Sequence, residues 1–466
     1  MSRARKWARG ALGLLVVAAL GTTAWVLALM AERDSRLPKL ALTLPDERER
    51  ASHAGLPRKM AELPKRPPLL PAENAALLYR EAVNVLPEWT PEDRATIQRA
   101  LGRSTALSAS DTKRLSKLVR AAQPALALTL QGVLRPHCNF GWDTDLTDDE
   151  WKQRREVLMG CDRLARLLLV QGRALKNPTE KLSNLARVEH LTRHLTEEPG
   201  LLVWQLRGYH AGLVANALYE LASREPTLQP VCEEALRAWE PPVGILKRAW
   251  WVQCIKEQAD ARQSRTKPYK TDDAPFLDYN PLWRELDRLD HLLGWKLYAD
   301  ASEVINLRYW REVKNALATV NDKDLTAQWR VLAALDTAEE RRAKAFNGYW
   351  YPQRYSGVAA QLVVMRLNQE LLPLALALGH YRQQQGTYPD TLKALPGAPL
   401  VTDPFSGKPL HWKAPVLYSV GPDGKDNGGD PQKDIVLDLD AGRRAPLARS
   451  PRGAFRRPGR TTGAVQ

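Results

Sequence analysis

"EVLMGCDRLARLLLVQGRAL", residues 156–175, decides the fold class: its apolar side chains return every three to four residues with Asp and Arg between them, the spacing of one face of an α-helix. The same period runs through "LLVWQLRGYHAGLVANALYEL", residues 201–221. Helix starts carry cap chemistry. Thr90-Pro91-Glu92-Asp93 and Asn177-Pro178-Thr179-Glu180 each place a side-chain oxygen, a first-turn proline and acids in the order that satisfies the free N–H groups of a first turn. Thr147-Asp148-Asp149-Glu150 and Thr337-Ala338-Glu339-Glu340 fit the capping box. Residues 74–348 therefore read as an all-helical domain of about ten helices.

Towards the N-terminus, residues 32–73 are rich in proline and charge and read as a stalk that does not sustain a helix. Before them "GALGLLVVAALGTTAWVLALMA", residues 10–31, is uncharged. At a rise of about 1.5 Å per residue it is long enough to cross a bilayer, and it exceeds the ~7–15-residue apolar region of a cleaved signal peptide. Arg3, Arg5, Lys6 and Arg9 make residues 1–9 a basic flank, which predicts a cytoplasmic N-terminus. The expectation is a single-pass inner-membrane protein, held in the lipid bilayer through residues 10–31 with its bulk periplasmic or otherwise extracytoplasmic.

Towards the C-terminus the period changes. A helical run from about Val358 to Gln385, interrupted by Pro373, meets Gly386, and three short strand-like runs follow, separated by Gly and Pro turns, with Ser406-Gly407 as a hairpin turn. Residues 349–440 thus read as a small α+β module, a helix plus a three-stranded antiparallel sheet. The overall class is mainly α. Residues 441–466 hold seven arginines and no acid, a composition that predicts a disordered basic tail; a plain solubilising role is the better reading, and binding of an anionic surface is the alternative.

The net charge of +15 is concentrated at the ends, four positives in residues 1–9 and seven in the tail, which leaves +4 for the body and argues against nucleic acid as a partner. Cys138, Cys161, Cys232 and Cys254 lack CxxC spacing, which argues against zinc. Their even count permits disulfides outside the cytoplasm, with Cys138–Cys161 and Cys232–Cys254 as the short-loop pairings, and buried free thiols are the equal alternative.

Several clusters bear on chemistry. Asp143, Asp145, Asp148, Asp149 and Glu150 crowd a helix start, where capping explains the last three. His190 and His194 are one turn apart, but Glu189 precedes the first histidine where the zinc-protease pattern needs Glu after it, so a surface pair is the better reading. Trp250-Trp251 and "FNGYWYPQRY", residues 346–355, supply aromatics for a groove or a domain junction. No nucleophile elbow, phosphate loop or dinucleotide fingerprint is present. Asp423, Asp426, Asn427, Asp430 and Asp434 crowd a glycine-rich loop, hard oxygen donors of the kind Ca2+ takes, but Pro431 stands where an EF-hand loop requires glycine, and composition alone favours a solvated turn.

"ALALGHYRQQQGTYPDTLKAL", "DPFSGKPLHWK", "LYSVGPDGKDNGG" and Asp434-Ile435 follow one another along residues 375–439. In that order they resemble the C-terminal domain of the major pseudopilin of type II secretion. The resemblance implies a helix, a GxYP turn, a DPxxGxP hairpin and a terminal loop that holds calcium beside a sheet, with Asp434 as first ligand and Asp423, Asp426 and Asp430 after it. The remainder, with "NAALLYREA" at 74–82 and "PHCNFGWD" at 136–143, is similar to uncharacterised membrane-anchored bacterial helical proteins. Together these readings point to a non-catalytic interaction or scaffold protein that meets envelope or secretion proteins. An extracytoplasmic hydrolase or glycan-binding protein using Asp143, Asp145 or His190 is the alternative.

Overall fold

The computed structural model describes residues 38–440 apart from 67, 103–106, 143–146, 199, 238, 240–242, 264–280, 322–323, 346–354 and 396–400, together with 443–444. The apolar run 10–31, Asp143, Asp145, most of the 346–355 aromatics and the tail beyond 444 lie outside the described residues. The helices are α1 Leu44–His53, α2 Ala76–Asn84, α3 Pro91–Gly102, α4 Ala109–Ala121, α5 Gln123–Val133, α6 Asp148–Ala174, α7 Pro178–Thr196, α8 Leu201–Arg224, α9 Gln229–Arg237, α10 Val243–Gln263, α11 Pro281–Ala318, α12 Leu325–Ala345 and α13 Ser356–Gln385. Strands β1 His411–Lys413, β2 Val416–Ser419, β3 Ile435–Asp438 and β4 Arg443–Arg444 follow. The protein is mainly helical with a small antiparallel sheet near its C-terminus.

The chain forms two compact units, each assembled from separated stretches. One takes residues 1–58, 254–319 and 332–354. In it α1 packs on α11. This corrects the stalk reading over residues 44–53: Pro45 falls in the first turn, where its missing N–H has no helical partner to lose, and Asp46 and Glu47 meet the positive end of the helix dipole. Leu44 and Ala51 turn inward, and Arg48 grips Glu303 through Nε and Nη2 at 2.8 and 3.0 Å. Lys314 of α11 reaches the carbonyls of Ala54 and Gly55, the C-terminal end of α1 where a cation is favoured. Further along α11, Tyr309 donates to Asp336 at 2.8 Å and the Trp310 indole to Glu257 at 2.7 Å.

The other unit takes residues 59–253, 320–331 and 355–466. Its helices start as their caps dictate: Thr147 and Glu150 close a capping box, and Asn177 accepts from the N–H groups of Thr179 and Glu180. The second capping box fails. Helix α12 begins at Leu325 and runs through Thr337, whose hydroxyl donates to the Ala333 carbonyl instead. Helices α6, α7 and α8 pack in sequence, and α13 lies along α8. Fully buried Leu164, Leu167, Trp204, Leu218, Leu362 and Leu378 come from these elements, each aliphatic side chain contributing about 1.5–3 kcal/mol.

Among the described residues α13 is the one helix long and apolar enough to cross a membrane, but 61 % of its apolar window is buried inside the protein, which marks it as a core helix. Pro373 sits within it without ending it, and Gly386 closes it in the left-handed region.

The sheet has order β1-β2-β3-β4, antiparallel throughout, with His411 opposite Tyr418 and Leu417 opposite Leu437. The expected three strands are joined by β4, which pairs Arg444 with Leu437. The predicted hairpin at Ser406-Gly407 is formed: Gly407 has φ +71°, and Asp403 N donates to Lys408 O at 2.7 Å. The hairpin docks through Phe405, whose ring meets Trp329 of α12 edge-on at 4.8 Å. Trp412 of β1 donates to the Pro389 carbonyl at 2.8 Å, which ties the sheet to the Tyr388-Pro389 turn after α13.

Candidate functional site

Strands β2 and β3 are joined by residues 420–434, a loop folded on its own polar groups. Gly421 begins it at φ +72°, and a Cβ there would lie 2.8 Å from the Lys433 carbonyl, so the loop's two ends approach as closely as glycine allows. At its far end Asp434 N donates to Asp430 O at 2.7 Å.

The four aspartates are not brought to one point. Asp434 is 1 % exposed at the loop's base, its Oδ2 accepting from Gly429 N at 2.7 Å and its Oδ1 from Asn427 Nδ2 at 3.2 Å. The same Asn427 amide donates to Asp423 Oδ2 at 3.1 Å and to Lys425 O at 2.8 Å. Asp426 turns the other way, accepting from Gly428 N at 2.8 Å and Tyr418 OH at 3.1 Å, with His411 Nδ1 3.4 Å from its second oxygen. The Gly428 N–H outweighs burial and, with Tyr418 and His411, holds the Asp426 carboxyl below its ordinary range. Asp430 faces outward, accepting from Gln432 N with Lys433 at 3.9 Å.

Among the described residues no three His, Cys, Asp or Glu side chains converge as a metal-binding group. The geometry instead singles out the Asn427 amide. It has two hydrogens for three acceptors, of which two are carboxylate oxygens. Asp434 has no cationic side chain beside it among the described residues, and a buried carboxylate without one is costly. Asp423 Oδ2, Lys425 O and Asp434 Oδ1 are the hard oxygen donors that suit Ca2+, with water left to complete a shell of six to eight.

Asp403 escaped the sequence reading. It is 0 % exposed and accepts from Phe405 N at 2.9 Å, Ser419 Oγ at 2.8 Å and Val420 N at 3.0 Å, pinning the hairpin to the start of the loop. The aspartate of "DPFSG" was its only visible signal.

In the helical body His190 and His194 part company. His190 is half-exposed, 3.8 Å from Glu189, whereas His194 is buried with Nδ1 2.8 Å from the Tyr79 hydroxyl. The surface-pair reading therefore holds for His190 alone. Burial, helped by the charge of Arg193, lowers the His194 pKa from 6.5 to about 4. Trp250 is buried, edge-on to Tyr355 at 6.0 Å, as a packing residue.

A charged cluster inside the deciding stretch was also missed: Arg166 binds both oxygens of Asp162 at 3.0 Å, and His210 Nε2 lies 3.0 Å from the same carboxylate. The Arg166 guanidinium also lies over the Tyr209 ring at 4.5 Å. Burial raises the Asp162 pKa, but His210 and Arg166 outweigh it and hold the carboxyl below its ordinary range, while burial keeps His210 low despite that carboxylate.

"NAALLYREA" and "PHCNFGWD" meet face to face: Asn74 exchanges side-chain and backbone bonds with Asn139 at 2.8 Å, and Glu198 accepts from Phe140 N at 2.7 Å. All four cysteines are buried free thiols, so neither disulfide pairing is formed. Burial raises each of them, Cys161 to about 12 and Cys232 to about 11, which disfavours the reactive thiolate. Searches of protein-family models, curated proteins and solved structures find no match to this chain.

Proposed function

We propose that the protein is a non-catalytic interaction or scaffold component of the cell envelope. Residues 10–31 hold it in the inner membrane, the helical body and the C-terminal module stand outside the cytoplasm, and Ca2+ stabilises the module. The observation that carries this reading is the base of the β2–β3 loop, where buried Asp434, Asp423 and the Lys425 carbonyl crowd a single amide. An ion held by these oxygens would neutralise two carboxylates and fix a loop whose charges otherwise repel. The fixed loop is then a defined surface for envelope or secretion proteins.

The test is a thermal melt of the full-length protein in detergent, in EDTA and in millimolar Ca2+. Saturation at a hundred times Kd adds about 2.7 kcal/mol, so the module's transition should rise by several degrees. Asp434→Ala should abolish the rise and Asp423→Ala should shrink it. A wild-type melt indifferent to Ca2+ overturns the metal assignment. The anchor is tested separately: the chain should pellet with membranes after alkaline washing, and a chain lacking residues 10–31 should not.

A further inference from the structure

Helix α1 starts 13 residues after the apolar run 10–31 ends, behind the short helical stretch 38–42, so it lies near the membrane-proximal end of the described chain. Its Glu47, 1 % exposed, is the focus of three guanidiniums. Arg50 Nη1 and Arg308 Nε lie 2.9 and 3.1 Å from Oε1, and Arg311 Nη1 lies 3.0 Å from Oε2. One negative charge thus faces three positive ones.

Among the described residues no second carboxylate forms an ion pair with these three arginines. Arg308 also donates to Thr43 Oγ1 at 3.3 Å, and the remaining N–H groups of the three arginines have no protein acceptor among the described residues. Glu303 is engaged by Arg48, and Glu49 lies 3.5 Å from His53. Asp46, one turn before Arg50, makes no ion pair among the described residues. The three side chains are 62, 36 and 25 % exposed, Arg50 the most, so solvent reaches their outer edges while Glu47 fixes their inner ones. Preset guanidinium forks with surplus positive charge match the non-bridging oxygens of a phosphate.

We infer that Arg50, Arg308 and Arg311 form a binding site for the phosphate of an anionic phospholipid headgroup, close to where the chain leaves the bilayer. The choice of a lipid as the source rests on the membrane-anchor reading proposed above. The phosphate chemistry does not.

The experiment uses the full-length protein in an uncharged detergent, titrated with short-chain phosphatidylglycerol, short-chain phosphatidylcholine and inorganic phosphate. Phosphatidylglycerol should bind at least about tenfold tighter than phosphatidylcholine, and Arg308→Gln with Arg311→Gln should weaken it by about tenfold or more. Arg50→Gln, the most exposed of the three, should weaken it severalfold with an unchanged melt, which separates binding from folding. Equal affinity of wild type and Arg50→Gln, or of the two lipids, overturns the site. Inorganic phosphate binding as tightly as phosphatidylglycerol overturns the lipid as its source. Recovery of the chain in the soluble fraction overturns the anchor without touching the measured phosphate affinity.

Discussion

Two regions bury an aspartate in opposite ways. Inside the helical body Asp162 is held by Arg166 one turn along its own helix and by His210 from the next but one, so its charge is matched by the protein. In the β2–β3 loop Asp434 is held only by a backbone N–H and a shared amide, neutral donors that leave the charge in place. The first arrangement is closed, since any added ion meets a balanced site. The second leaves its charge unmatched, and the proposed Ca2+ site rests on that difference.

The sharpest way to break this contrast is Asp162→Ala, which strands a buried guanidinium and a buried imidazole. A loss of about 3–5 kcal/mol in urea unfolding is expected. Replacing Asp162, Arg166 and His210 together by Leu, Met and Phe should recover most of it, because matched burial of charge contributes little net stability. A triple variant as unstable as the single one would show that the cluster is more than a satisfied pair.

Next comes Asp403→Ala in the module, which leaves two buried N–H groups and a hydroxyl without their acceptor and should cost about 3 kcal/mol. Unlike Asp434→Ala, it should lower the melt equally in EDTA and in Ca2+. A Ca2+-dependent effect would move the site towards the hairpin.

The body should also respond to acid in a defined window. The folded pKa of His194 lies near 4, below its ordinary 6.5, so the unfolded chain takes up a proton first as pH falls. Stability from this group is intact above 6.5, declines through the window and levels off below about 4, a total loss of roughly 3 kcal/mol. Urea midpoints from pH 7 to pH 4 should show the decline, and His194→Gln should lack that share of it. The smallest effect is expected of Asp430→Asn, whose carboxylate is exposed beside Lys433: a change within about 0.5 kcal/mol and a retained Ca2+ response. Loss of that response would restore Asp430 to the ligand set.

Much of the fold could be read in advance because helical period and caps are local properties. The limits are equally physical. Thr147 and Thr337 carry the same capping pattern, but only Thr147 has the extended backbone of a cap, while a turn of helix already precedes Thr337 and offers its hydroxyl a carbonyl. Pro45 looked like a breaker because the sequence does not announce that Leu44 starts a turn. Asp162 and Arg166 stand in the very stretch that decides the fold class, but their partner is 48 residues away and becomes visible only when α6 and α8 meet. The loop's ligand candidates rest on composition and on the resemblance, and neither says that Asp426 turns to Tyr418 and His411 while Asp423 and Asp434 share an amide.

The packing of α8 against α13 also sets a schedule. More than 130 residues separate the end of α8 from the start of α13, and they must leave the ribosome before the covering helix exists. At about 5–20 residues per second that interval is roughly 7–26 s, during which the face of α8 that α13 covers stays exposed. A chaperone that recognises apolar helices would find an opportunity on that face of α8, and a pause in synthesis between Glu225 and Tyr355 would lengthen it.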